Sequence, residues 1–208
     1  MLPPLPTTTL KLMTVTPHRL FQQRWPEGDY RMFQLGFVVD DLVEVAKQWA
    51  RIHGVGPFLV LPRMNVPCTY RGTSSRLEIQ IATAQAGPAQ IELIAQSCDT
   101  PSIYRELVAR GHSVFHQICT VTPDYDGKKA HYEELGIELA SEIIVPGQRV
   151  AFYDTVSDFG LFTEVVEQSD AFMAILGRNS QDCAQWDGLD PVRLMTKGGY
   201  RVPEDGNL

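Results

Sequence analysis

Two stretches decide the fold: MFQLGFVV at 32–39 and VFHQICTVT at 114–122. Each is a short run of β-branched, aromatic and aliphatic residues suited to a buried strand. Each carries a polar residue in its middle, Gln34 in the first and His116 in the second. Each also leads into a helix. After the first, Asp40 or Asp41 can accept the free N–H groups of a first turn. Leu42, Val45, Ala46, Trp49 and Ile52 then recur at spacings of three and four, and Gly54 supplies the stop. After the second, Asp124 precedes a polar helix through HYEELG to Gly136. An offset of 82 residues lays Phe33-Gln34 on Phe115-His116 and Gly54 on Gly136.

The pattern continues downstream. GPFLVLP, RLEIQIATA (76–84) and AQIELIAQ (89–96) read as strands, the last two joined by an Ala-Gly-Pro turn. In the second half, IELASEIIVP, QRVAFYDTV and LFTEVVE repeat the set around Pro146-Gly147. Here a shorter offset of 72 lays Glu92 on Glu164, so about ten residues are extra in the first half. The expected class is α+β, with two tandem βαβββ modules at 31–97 and 113–168. An N-terminal extension covers 1–30, and DTPSIYRELVARGHS (99–113) reads as a helix in a linker at 98–112, with Thr100 as cap and Pro101 at its first position. SDAFMAILG starts a C-terminal helix, followed by a polar, loosely held tail to residue 208.

The 208 residues carry a net charge of -7, which argues against nucleic acid or an anionic membrane as partner. Cys68, Cys98, Cys119 and Cys183 are scattered without a CxxC, so reduced thiols and a cytoplasmic location are expected. MLPPLPTTTLKLMTVTP lacks the continuous apolar core of a signal peptide, and no run reaches the roughly 18 apolar residues of a membrane span.

Strand alternation gives Gln34, Glu92, His116 and Glu164 apolar neighbours on their own faces. A carboxylate so placed is costly unless paired or metal-bound. One His, two carboxylates and an amide oxygen would suit Zn²⁺, Mn²⁺, Co²⁺, Ni²⁺ or Fe²⁺. Taken alone, His116 reads first as a satisfied core histidine or a partly exposed one, and only second as a ligand.

FQLGFVVDDL, GVGPF, AQIELI, VFHQI and FGLFTEVVE, in this order and spacing, resemble the vicinal oxygen chelate superfamily over residues 32–168. That superfamily includes glyoxalase I, methylmalonyl-CoA epimerase, extradiol dioxygenases and bleomycin-resistance proteins. The resemblance implies a half-barrel cleft around a divalent metal held by Gln34, Glu92, His116 and Glu164. It implies a metal-dependent isomerase, epimerase or lyase that stabilises an enolate, with Glu164 as base and Glu92 as its competitor. It also implies a homodimer acting on a small molecule. Gln34 departs from the epimerases, which have His there, and a second His needed for extradiol ring cleavage is missing. Glu78 stands near the epimerase base position, or is an outward-facing strand residue. Tyr153 is a hydrogen-bond donor to substrate, or a packed aromatic. Two other classes compete: a non-catalytic protein sequestering a small hydrophobic molecule, and a structural module whose polar residues are merely hydrogen-bonded.

Overall fold

The computed structural model describes residues 31–203, so the expected N-terminal extension lies outside the described residues. The chain opens with β1 (Arg31–Val38) and α1 (Leu42–His53). The Asp41 carboxylate caps α1 by accepting from the Glu44 N–H at 2.9 Å, and Gly54 ends it in the left-handed conformation. Then come β2 (Phe58–Val60), β3 (Met64–Tyr70), β4 (Thr73–Ala86) and β5 (Ala89–Gln96). β3 is a strand the sequence reading did not contain, and it accounts for the extra residues of the first half. Pro67 sits in its middle and reads as a breaker, yet it pairs with Arg76 of β4.

The linker does not form the expected helix. It makes a single 3-10 turn, Ile103–Arg105. Gln96 is the reason: its Nε2 donates to the Thr100 carbonyl at 2.7 Å, the acceptor that a first helical turn would need. Ser102 Oγ donates to Gln96 Oε1, and Arg105 donates to the Gln96 carbonyl. Ile103 and Tyr104 are thereby pinned into the core.

The second half runs β6 (Val114–Thr122), α2 (Tyr125–Glu134), β7 (Leu139–Val145), β8 (Gln148–Tyr153), α3 (Val156–Phe159) and β9 (Phe162–Glu167). α4 (Asp170–Ala184) follows, capped by Ser169 Oγ accepting from the Phe172 N–H. The segment beyond it is no loose tail. It forms β10 (Val192–Thr196) and β11 (Gly199–Arg201), and β10 pairs in parallel with β2.

The strands form one sheet in the order β11-β10-β2-β4-β3-β7-β8-β9-β6-β1-β5. β4 also pairs with β5, so eight strands close on themselves as a barrel rather than a half-barrel. The closure includes a short β3–β7 contact of two residue pairs. β1 and β6 run antiparallel at the centre, flanked in parallel by β5 and β9. α1 covers Phe58, Val60, Ala82 and Leu93 on the outside of the sheet. α2 covers Tyr153 and Val165, and Tyr153 stacks on Tyr132 at 4.0 Å. No helix of the described residues is long and apolar enough to cross a membrane.

Candidate active site

The pairing of β1 with β6 contains one irregularity in each strand. Met32 pairs with Thr120 and Gln34 with Cys119, so Phe33 is the odd residue out. Gly36 pairs with Gln117 and Phe37 with Phe115, so His116 is the odd one on the other side. Both are β-bulges, which bend a strand and re-aim the side chains beside them. The two bulges lie 83 residues apart, not 82. The position equivalent to Gln34 is therefore Gln117, and His116 matches Phe33.

That single residue changes the site. The barrel interior holds a cavity of about 450 Å³ whose lining includes Gln34, Glu92, Gln117 and Glu164. Glu92 and Glu164 match as expected: β5 places Glu92 opposite Gly36, and β9 places Glu164 opposite Cys119. The Gln117 side-chain amide bridges them, at 2.8 Å from Glu164 Oε2 and 3.3 Å from Glu92 Oε2. Gln34 also faces the cavity, but its Nε2 donates to Gln90 Oε1 at 2.7 Å. His116 is corrected: it stands behind the site, fully buried between Tyr104 and Phe162. Its Nε2 lies 3.0 Å from the Ile103 carbonyl and its Nδ1 2.6 Å from the Gln117 amide. The core-histidine reading describes it, and among the described residues no three His, Cys, Asp or Glu converge on a point.

Gln117 fits because Gly36 faces it across the pair. A Cβ built on Gly36 would stand 2.5 Å from Gln117 Cγ and 2.8 Å from Cδ. A glycine inside a strand marks such a close approach. Tyr104 is a further lining residue absent from the sequence reading. Burial, then the charges of Glu164 and Glu92, push its hydroxyl well above the usual phenol range, so it stays a neutral donor. Glu78 is exposed, with its neighbour Ile79 facing the cavity instead. Tyr153 is packed under α2 and is not part of the cavity lining.

The two carboxylates are buried at 8% and 6% exposure, with no cation beside them among the described residues, and that decides their protonation. Desolvation, then the Glu164 charge, raise Glu92 well above the ordinary carboxylate range. Desolvation raises Glu164 to about 7, against hydrogen bonds from Cys119 and Gln117. The pair thus holds a proton near neutrality.

Hydrogen positions follow from the acceptors. With Nε2–H of His116 donated to the Ile103 carbonyl, Nδ1 needs a proton of its own or a donor opposite it. In one arrangement His116 is an imidazolium, Gln117 Oε1 accepts from it, and the Gln117 amide N–H groups donate to the carboxylates. In the other the imidazole is neutral and the amide is turned over, which exchanges oxygen and nitrogen at the same positions. Gln117 then donates to Nδ1 and presents Oε1 to Glu164 and Glu92. Burial pulls the His116 pKa down, which favours the second arrangement. Three oxygens at these distances require a proton or a metal cation among them.

A second network ties the site to its lid. Gln90 Nε2 donates to Asn179 Oδ1 at 3.3 Å, and Asn179 Nδ2 donates to the Thr83 carbonyl at 3.0 Å. Asn179 is buried on α4, where Phe172 and Leu176 share its inner face and line the cavity.

The sequence profile described as the Glyoxalase/Bleomycin resistance protein/Dioxygenase superfamily matches residues 33–152. The crystal structure of methylmalonyl-CoA epimerase from Mycobacterium tuberculosis superposes with a TM-score of 0.50 at 16% identity, covering 72% of this chain and 96% of that one. A hypothetical protein, BH1468 from Bacillus halodurans C-125, superposes with a TM-score of 0.49 at 16% identity, covering 68% and 96%. No curated protein matches the chain in sequence.

Proposed function

Because the chain belongs to the Glyoxalase/Bleomycin resistance protein/Dioxygenase superfamily, we propose that it is an enzyme of the isomerase, epimerase or lyase type that moves a proton at carbon next to a carbonyl or thioester. One observation carries the reading: two buried carboxylates meet on the Gln117 amide at the polar end of an apolar cavity. Two carboxyl groups that together keep one proton near neutrality are a base and an acid in one place.

Glu164 is the base. It removes the proton from carbon, and the electron pair of the C–H bond moves into the carbonyl to form an enolate. Protonated Glu92 donates a hydrogen bond to the developing oxyanion or returns a proton to carbon, and the Tyr104 hydroxyl supplies a further hydrogen bond. Return of the proton to the opposite face epimerises the centre.

The residues would fit a harder ion than most of those first expected. Without an imidazole, the donors would be Glu92, Glu164 and the Gln117 and Gln34 amide oxygens, Gln34 giving its Nε2–H to Gln90. Oxygen donors favour Mg²⁺ or Mn²⁺ over Zn²⁺, Ni²⁺ or Co²⁺. Such an ion would supply positive charge to the enolate oxygen. Behind it, the turned-over Gln117 amide would be held by neutral His116.

A non-catalytic binding protein is the second reading. The position of His116 favours it, because it removes one member of the expected ligand set. Homodimerisation and a cytoplasmic location belong to the same proposal, and light scattering checks the first. The decisive experiment follows deuterium entry from solvent at the α-carbon of candidate ketones and thioesters, including methylmalonyl-CoA, with and without Mg²⁺ or Mn²⁺. Exchange that disappears in Glu164→Gln supports the enzyme. Tight binding without exchange, with or without metal, leaves the binding protein.

A further inference from the structure

We infer that the ligand of this cavity is an uncharged molecule with an extended apolar body and one carbonyl oxygen, not an anionic acyl compound. The assignment rests on the proton-transfer reading for the carbonyl, and on the lining alone for the rest.

Away from the polar residues, most of the described wall is aliphatic and aromatic. Leu61, Ile81, Ile94 and Val150 come from the sheet, and Phe172 and Leu176 come from α4. α4 and β10–β11 lie beyond residue 152, where the match to the superfamily profile ends. They form a built closure: Asn179 is buried and bonded to Thr83 and Gln90, and β10 is hydrogen-bonded to β2. Burial of the ligand's apolar surface is then the main source of affinity.

Charge excludes the alternative. The polar end contains Glu92, Glu164 and neutral amides. The one cationic side chain among the described lining residues is Arg178, which is largely exposed at the mouth and lies over the Tyr200 ring, 3.8 Å from Asp182. An anionic group at the polar end would meet buried carboxylates in a low-dielectric setting. A divalent ion held there would be neutralised by the same two carboxylates and leave no net attraction for an anion. A neutral carbonyl oxygen accepts from the donors present and brings no charge.

Calorimetric titration of the full chain with methyl octyl ketone and with decanoate, which have the same number of carbons, tests this at pH about 8, where decanoate is ionised. The ketone should saturate one site, and decanoate should bind roughly a hundred-fold more weakly. In the double variant Glu92→Gln/Glu164→Gln the two affinities should converge, because the repelling charges are gone. Circular dichroism confirms that the variant is folded, and Phe172→Ala, at the lid, should weaken the ketone in the wild-type background. Equal binding of the two in the wild type, absence of saturable ketone binding, or persistent exclusion of decanoate in the double variant would overturn the assignment. Deuterium exchange of the bound ketone is read separately. Its absence removes the proton-transfer reading and the carbonyl with it, and leaves the uncharged, extended apolar class standing.

Discussion

Replacing Glu164 with Gln should make the protein more stable in alkaline buffer while abolishing exchange. Glu164 is nearly fully buried, and desolvation raises its carboxyl to about 7 from an ordinary 4.5. For a carboxyl raised on folding, the sign is fixed. Its contribution is fully present below the unfolded pKa and is lost as pH rises through 7, because the unfolded chain ionises more easily. At about 1.4 kcal/mol per pH unit, that gap is worth roughly 3 kcal/mol between pH about 4.5 and pH above 7. The amide is nearly isosteric and takes no charge. Its N–H donates to the Gln117 oxygen across the same 2.8 Å contact. Urea unfolding at pH about 5 and pH about 8.5, in the presence of a chelator, measures the difference. Wild type should lose about 3 kcal/mol or more relative to Glu164→Gln over that interval, because Glu92 also ionises more easily beside a neutral neighbour. Parallel pH profiles, or a variant less stable than wild type at the alkaline end, would refute the burial argument.

Three further substitutions probe the geometry. Gly36→Ala places a Cβ 2.5 Å from Gln117 Cγ. It should cost about 1–3 kcal/mol and at least roughly ten-fold in exchange rate; adding Gln117→Ala should recover stability but not exchange. His116→Leu leaves the Ile103 carbonyl without its partner and should cost about 2–4 kcal/mol in urea unfolding. The content of tightly bound Mn²⁺ should stay above half of wild type by elemental analysis, and its complete loss at unchanged stability would restore His116 as a ligand. Asn179→Leu cuts the bonds of α4 to Thr83 and Gln90 and should cost about 1–3 kcal/mol. Hydrogen exchange should quicken in α4 before it does in β4, and uniform quickening of both would show that the helix is not separately tied.

Most of the strand-and-helix order was legible because it rests on local signals. The 3,4 spacing of Leu42 to Ile52, the Asp41 and Asp124 caps and the stop at Gly54 depend only on near neighbours, and the helices form where they place them. The linker failed because a competitor from outside the segment intervened. Thr100 and Pro101 are good helix-start residues, but the Gln96 side chain takes the Thr100 carbonyl. The C-terminal strands were missed because β10 forms by pairing with β2, 134 residues away, and nothing local announces it.

The site shows the same division at the scale of one residue. Glu92 and Glu164 were placed together by counting, because β5 and β9 run without a break through those positions. Gln117 was displaced by His116 because counting assumes strict alternation, and a bulge breaks it. A one-residue slip exchanges the faces of a strand. Here the slip carried the more familiar ligand type to the cavity and hid an amide behind it. The correcting signal was present in FQLGFVV, though not at the polar residue. Gly36 is a glycine amid β-formers, and in a strand that combination calls for a bulky side chain crossing from the partner. Counting outward from Gly36 in the antiparallel pair reaches Gln117, whose side chain occupies the space a Cβ would have filled. His116 then acquires a different task, holding that amide by its nitrogen side so that the oxygen side meets the two carboxylates. The imidazole that suggested a metal is thus one bond removed from the cavity, orienting the residue that stands in the ligand position.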